Sequence, residues 1–215
     1  MIKIGIELNH VVRNINKQIL KYYKKDIDPS LDIEEIDEKD DVFKYAKFES
    51  LTDKNEFIYI DYPYELFGCA KTMDKELPSL LNNWLSELTN YEYDDIEISF
   101  FSLNEEALTI QSSYFFLSKI GTRVRKIIFP KNIKEIWGEY DVIIAGSKET
   151  LEYLGNKNND WSYVIKISNN MNKDCKANKE YDSLNDLIKD ETLLGEIQEF
   201  VNNNVNTDIA DGESN

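Results

Sequence analysis

The chain has 215 residues, 41% hydrophobic and 31% charged, which is apolar enough to build a buried core and argues against wholesale disorder. Its 41 Asp and Glu outnumber 25 Lys and Arg, leaving a net charge of −16 and a pI near 4.5, a balance unsuited to coating DNA or an anionic membrane. Two cysteines, Cys69 and Cys175, cannot make a disulfide framework, and a single histidine, His10, leaves almost no material for Ser-His-Asp, Cys-His or multi-histidine metal designs. The first 15 residues hold no long apolar segment, and no run approaches the roughly 18 apolar residues of a membrane span. A soluble, intracellular protein is expected, with no membrane partner and no direct nucleic-acid binding.

Met1-Ile2-Lys3-Ile4-Gly5-Ile6-Glu7 alternates Ile with small or polar residues, the pattern of a strand ending at an acid. Val11 to Lys25 then sets Val12, Ile15, Ile19, Tyr22 and Tyr23 at helical spacings and closes on Lys21, Lys24 and Lys25, which suit a helix C-terminus. A strand running into a helix begins a βα unit. From Asp26 to Asp41 nine acids stand against one base, Lys39, so this short stretch carries −8. An aromatic, helical pattern follows, through Phe43, Tyr45, Phe48, Phe57 to Ile60 and Tyr62 to Phe67. Glu76 to Leu88 sets Leu77, Leu80, Leu81, Trp84, Leu85 and Leu88 on one face. Residues 26–91 read as a mostly helical insertion, capping the carboxyl edge of a sheet.

From Asp95 the alternation resumes. Ile96 to Phe101 is a strand, Asn104 to Ile120 a helix stopped by Gly121, and Arg125 to Phe129 a strand closed by Pro130. Lys134 to Gly138 makes a short turn, and Asp141 to Gly146 is the most continuously apolar strand. Ser147 caps a helix from Lys148 to Leu154, Tyr163 to Ile167 is the last strand, and Leu184 to Val201 is helical with Gly195 as a weak point. Residues 202–215, rich in Asn and acids, read as a flexible tail. Five strands alternating with helices predict an α/β fold: a three-layer, mostly parallel sheet built from residues 1–25 and 92–200. Ligands of such sheets bind beyond the carboxyl ends of the strands, so the informative residues are Glu7 to His10, Ser102 to Asn104, Pro130 to Asn132 and Ala145 to Ser147.

Those strand ends carry Ile4-Gly5-Ile6-Glu7-Leu8-Asn9-His10-Val11-Val12-Arg13, then Phe100-Phe101-Ser102, then Lys131, then Val142-Ile143-Ile144-Ala145-Gly146-Ser147. In order and spacing they resemble the haloacid dehalogenase-like (HAD) superfamily, especially phosphatases of the 5′(3′)-deoxyribonucleotidase kind. Lys166-Ile167 and Tyr181 to Ile188 resemble the family's closing strand and helix entry, so the likeness spans nearly all of residues 1 to 200. It implies a HAD-like (Rossmannoid) sheet with a helical cap inserted after the first βα unit. It also implies that Glu7 stands where the family has an Asp nucleophile, Asn9 where it has an acid/base Asp, and Ser102 and Lys131 where it has a Ser or Thr and a Lys. Ala145-Gly146 then occupies the place of an acidic pair that completes a Mg²⁺ site.

The departures fall on the reacting atoms. Glu7 carries an extra methylene, and a displacement of about 1 Å can cost on the order of 100-fold in rate. Asn9 has an amide, which cannot exchange a proton with a leaving group. Ala145 and Gly146 offer no carboxylate to Mg²⁺, which prefers a near-octahedral shell of hard oxygens anchored by carboxylates. The expectation is a vestigial site at Glu7, Asn9, Ser102 and Lys131, with no catalytic residue, no metal and no cofactor.

The remaining chemistry-bearing residues have plain readings. His10 follows a strand and suits a turn or cap. Asp61, Glu65, Asp94 and Asp95 are carboxylates in a chain full of solvated acids, and Cys69 and Cys175 are ordinary thiols. Segment 57–67 reads as the insertion's own core or, through Tyr62, Tyr64 and Phe67, as a partner-facing patch. One charge feature is sharper: from Ala107 to Lys134 there is no acid, while Lys119, Arg123, Arg125, Lys126, Lys131 and Lys134 give +6. Opposite patches on one molecule suit head-to-tail contact between copies, so Arg123, Arg125 and Lys126 are interface candidates; a phosphate-rich ligand is the other use of such a surface. The expected function is an inactive HAD-like scaffold that builds an assembly with protein partners, as a homo-oligomer or ring. One concrete form is a bacteriophage neck or tail ring component, resident in the host cytoplasm and then in a virion. The alternative is a Mg²⁺-dependent nucleotidase or phosphatase.

Overall fold

The computed structural model describes residues 1–89, 96–124, 126–136, 138–155 and 162–212. Its strands are β1 (Ile2–Glu7), β2 (Arg13–Asn14), β3 (Lys71–Thr72), β4 (Ile96–Phe101), β5 (Lys126–Ile128), β6 (Val142–Ala145), β7 (Tyr163–Ile167) and β8 (Lys179–Tyr181). Its helices are α1 (Asn16–Asp26), α2 (Leu51–Glu56), α3 (Leu77–Thr89), α4 (Ala107–Ile120), α5 (Lys148–Gly155), α6 (Leu184–Ile188) and α7 (Leu193–Gly212). Six strands form one parallel sheet in the order β5-β4-β1-β6-β7-β8, so β1 lies inside it, paired with β4 along its whole length and with β6.

Strand residues alternate between two apolar clusters, as a period of two requires. On one face Ile4, Ile6, Phe100, Val142, Ile144 and Ile165 pack with residues of α3, α4, α6 and α7. On the other face Phe101, Ile143, Ala145 and Val164 pack with Leu151 and Leu154 of α5 and with a 3₁₀ turn, Ile133–Ile136. These are the three layers of the expected α/β architecture. Gly5 is needed for the second face, because a Cβ there would lie 2.7 Å from the Tyr140 ring. The same alternation sends Glu7 toward α5.

A third cluster belongs to the insertion. Ile19, Leu20 and Tyr23 of α1 pack with Val42, Ala46, Phe57, Ile58, Leu66 and Phe67. Packing therefore groups α1 with the insertion and α3 with the sheet, although the sequence pattern divides the chain at residues 25 and 92. An amphipathic helix announces that it has an apolar face, but not which neighbour will cover it. The antiparallel pair β2–β3, with Arg13 opposite Thr72, is the neck through which the chain leaves the core and returns.

Other differences are local. The expected helix from Val11 begins at Asn16, because residues 8–14 make a tight turn in which the Val12 and Arg13 N–H groups donate to the Leu8 carbonyl. The sheet gains a sixth strand, β8, and the final helical segment breaks at residues 189–192 instead of at Gly195. There the Asp190 carboxylate accepts from the Thr192 N–H and hydroxyl and from the Lys179 amine, which takes the backbone out of the helix. α7 continues to Gly212, past residue 202 where a tail is expected. Trp137 and Trp161 lie outside the described residues.

Candidate functional site

β1 ends at the carboxyl edge of the sheet with Glu7, which is buried. One of its oxygens accepts from the backbone N–H groups of Gly146 and Ser147, both at 2.9 Å, and the other accepts from the Thr150 hydroxyl at 3.2 Å. The two N–H groups belong to the residues just before α5, where the helix dipole favours a negative charge, and Thr150 lies in its first turn with its own N–H capped by Ser147 Oγ at 3.3 Å. The length of the Glu7 side chain carries its carboxylate to these donors. Burial pushes the Glu7 carboxyl above the usual range, against the donors from Ser147, Gly146 and Thr150 that favour its ionised form.

Gly146 is fixed by a close approach. A Cβ on it would lie 2.7 Å from the backbone carbonyl oxygen of His10. The position where the resemblance implies a carboxylate therefore has no room for a side chain. His10 itself holds a left-handed turn, with φ of +66°, in a half-buried position. Burial and the neighbouring Arg13 charge push its imidazole down to about 4, so it is neutral near pH 7.

The centre of the cluster is Arg13, fully buried, whose guanidinium makes five hydrogen bonds to four acceptors and lies against two rings. It donates to Asn9 Oδ1 at 2.9 and 2.7 Å, to Glu105 Oε1 at 2.5 Å, to Ser113 Oγ at 2.5 Å and to the Phe67 carbonyl at 3.3 Å. It also stacks against the Phe67 and Phe116 rings, 4.9 and 5.4 Å from their centroids. Ser102 Oγ accepts from the Asn9 amide at 3.2 Å and donates to Glu105 at 2.5 Å, and Ser113 Oγ donates to the second Glu105 oxygen. Asn9, Ser102, Ser113 and the Arg13–Glu105 ion pair thus form one closed network across β1, β4 and α4. Burial pulls Arg13 down and the Glu105 charge pulls it back up, so the pair keeps its charge only as a pair. The backbone turns Glu105 inward between Asn104 (φ +60°) and Ala107 (φ +40°), both left-handed, and the helix cap falls to Glu106 with Thr109.

The structure brings three of the four predicted positions, Glu7, Asn9 and Ser102, to this edge. Lys131 is exposed; its backbone N–H donates to Glu135, and no hydrogen bond or ion pair joins its amine to the cluster. Arg13, Glu105, Ser113 and Thr150 go unpredicted. The available signal is Arg13 itself, directly after Val11-Val12 and the one Lys or Arg between Lys3 and Lys17. Among the interface candidates, Phe67 is buried in the insertion core and cannot anchor a partner, a correction that follows from its packing against Arg13 and Tyr59. Tyr62 is half-buried, donating to Asp26 at 2.6 Å and packed on Tyr22 and Phe57. Tyr64, Arg123 and Lys126 are exposed, with Lys126 paired to Glu97, while Arg125 lies outside the described residues, as do Asp94 and Asp95.

A Mg²⁺ ion does not fit these residues. Glu7 has its oxygens committed to the turn that enters α5, the Asn9 carbonyl oxygen is held by a guanidinium, and that buried positive charge repels a cation. Among the described residues, no group of three His, Cys, Asp or Glu side chains is arranged to hold a metal ion.

No family model matches the chain, and no curated protein is detectably similar to it in sequence. Among solved structures it is similar to a protein named as a haloacid dehalogenase-like hydrolase from Burkholderia xenovorans LB400. The TM-score is 0.53 at 9% identity, with 89% of this chain and 96% of that chain covered. At such identity the likeness speaks to fold alone: the chain has a HAD-like Rossmannoid α/β fold.

Proposed function

We propose that this chain is a catalytically inactive HAD-like scaffold whose role is to bind proteins rather than to turn over a small molecule. The observation that supports this reading is self-satisfaction of the site. Glu7 is used by the turn that enters α5, and Asn9 and Ser102 are used by Arg13 and Glu105. A nucleophile needs a lone pair free to approach substrate, and a general acid needs an exchangeable proton. Here the first is tied to fixed donors and the second is an amide. The likeness to a protein named as a hydrolase favours the alternative, a Mg²⁺-dependent nucleotidase or phosphatase. The bacteriophage ring setting rests on composition alone and adds nothing to either.

Phosphate release separates the two readings. The purified chain with millimolar Mg²⁺ and p-nitrophenyl phosphate or deoxynucleoside monophosphates is expected to release no more phosphate than a Glu7→Gln variant. Release that Glu7→Gln abolishes, or Mg²⁺ binding tighter than about 1 mM (about −4 kcal/mol) by calorimetry, would establish the enzyme instead. Restoring the family acids is expected to fail at Gly146→Asp, where the new Cβ meets the His10 carbonyl.

A further inference from the structure

Four large apolar side chains that stay exposed gather on one surface. α4 presents Leu108, Tyr114 and Phe115 at 53, 53 and 43% exposure, and the insertion adds Tyr64 at 47%. The Tyr64 and Phe115 ring centroids lie 5.2 Å apart and, with Leu108, line a groove of about 330 Å³. Tyr114 stands edge-on to Phe129 at 5.7 Å, which carries the same surface to β5, the edge strand of the sheet. Exposed aromatics grouped in this way mark interaction sites more often than scattered ones do.

The α4 and β5 side chains of that surface come from the acid-free stretch 107–134, while Asp61 and Glu65 flank Tyr64 and Glu106 flanks Leu108. Lys119 is tied to the carbonyls of Gly68 and Ala70, and Lys126 to Glu97. Arg123, just after α4, is exposed and makes no ion pair among the described residues, whereas Lys131 and Lys134 flank the turn that packs with α5 on the other face of the sheet. The complementary charge is on the insertion, where Asp32, Glu34 and Glu35 are exposed and likewise make no ion pair among the described residues. Exposed Ile27, at 48%, stands in the same segment.

The later part of the acidic stretch is held away from α4, while its first residue, Asp26, is bonded to Tyr62. Asn170 donates to Asp37 and Asp40, at 3.3 and 2.7 Å, and Lys39 donates to the Asp182 carbonyl at 3.4 Å. These contacts hold the acidic segment beside the loops that follow β7 and β8, toward the sheet edge opposite β5. We infer that copies of this chain associate head to tail, the aromatic, basic face of α4 and β5 receiving the acidic segment 26–36 of the next copy. The apolar side chains supply the affinity, and the charges orient encounter and reject the wrong face. Because the two patches differ, the contact is heterologous and propagates into a ring or a chain instead of stopping at a symmetric dimer. The inference does not depend on whether the site is inactive.

The test is complementation, read by sedimentation of the full chain. A face variant, Leu108→Ser with Tyr114→Ser and Arg123→Glu, changes exposed side chains alone. A segment variant, Asp32→Lys with Glu34→Lys and Glu35→Lys, does the same on the other surface. The unaltered chain is expected to form species larger than a dimer, and its association to weaken at least about tenfold between 0.1 and 0.5 M salt as screening shortens. Each variant alone is expected to be monomeric, and the two mixed to give a one-to-one heterodimer that grows no further, since one intact face meets one intact segment. An unaltered chain that stays monomeric, a salt-indifferent symmetric dimer, or a mixture that stays monomeric would overturn the proposal. Binding of a single-stranded oligonucleotide or anionic vesicles by the unaltered chain, lost in the face variant and without self-association, would overturn it too and assign the face to phosphate.

Discussion

Replacing Glu105 with Ala would leave the Arg13 guanidinium, fully buried, without its counter-charge. Breaking such a pair from one side costs about 3–5 kcal/mol, whereas replacing both partners by apolar groups costs much less than the sum. In urea unfolding, Glu105→Ala and Arg13→Met are each expected to lose on that order, and the Arg13→Met, Glu105→Met double variant to lose clearly less than both together. Additive losses would mean that the pair does not act as a unit. His10 makes a second prediction, through pH. Its imidazole is held down to about 4, beside Arg13 and in a crevice shared with Glu38, Lys39, Asp74 and Asp182. An unfolded histidine, near 6.5, binds a proton that the folded one refuses, so this stability is present above about pH 6.5 and is lost as pH falls toward 4; it amounts to at most about 3 kcal/mol. Glu7, raised by burial, acts with the opposite sign, its contribution fading as pH rises through its folded value. The difference between the unaltered chain and His10→Asn, which tolerates the left-handed turn, isolates the histidine. That difference is expected to shrink steadily from pH 6.5 to 4, and a constant difference would contradict the burial. At this scale the sequence was half legible. Glu7, Asn9 and Ser102 follow from strand ends, but Arg13 and Glu105 are charged residues whose pairing across 92 positions leaves no periodic trace.

Gly195 shows how differently elements respond to the same residue type. It lies in the first turn of α7, and a Cβ there meets nothing within 4 Å. Gly195→Ala is expected to stabilise the chain by about 0.5–1 kcal/mol, seen as a higher thermal midpoint, because it removes backbone freedom from the unfolded chain alone. Gly146→Ala is expected to destabilise it, because the His10 carbonyl occupies the space. A reversal of the two signs would show that the α5 cap is not packed as described. The elements legible in the sequence are those driven by burial: β1, β4, β6 and β7 are apolar runs, and each begins within a residue or so of its expected place. β8, Lys-Glu-Tyr, and the neck strands, Arg-Asn and Lys-Thr, are too short and too polar to show a period. They exist through pairing with neighbours that only the fold supplies. The break before α7 is of the same kind, made by Asp190 reaching Lys179 and Tyr181, residues that lie on β8.

At the scale of the whole molecule, a charge of −16 acts on folding and on assembly in opposite directions. Within one copy the acids repel one another and destabilise the compact state, a cost that salt screens. Between copies the acidic segment and the basic face attract, and salt screens that attraction as well. Raising salt from 20 mM to 0.5 M is therefore expected to raise the thermal midpoint of a copy that cannot associate, such as the Leu108→Ser, Tyr114→Ser, Arg123→Glu variant. For a chain of this size about 1 kcal/mol corresponds to roughly 2–4 °C. The unaltered chain is expected to gain less over the same range, because salt also dissolves the assembly and with it the stabilisation that association lends to the folded state. Scanning calorimetry of both, at two protein concentrations, separates the contributions: the variant's midpoint should ignore concentration, and that of the unaltered chain should rise with it at low salt and lose this dependence at high salt. Equal salt gains in the two proteins, with no dependence on concentration, would leave the acidic segment and the basic face as surface decoration and remove charge complementarity as the organising force.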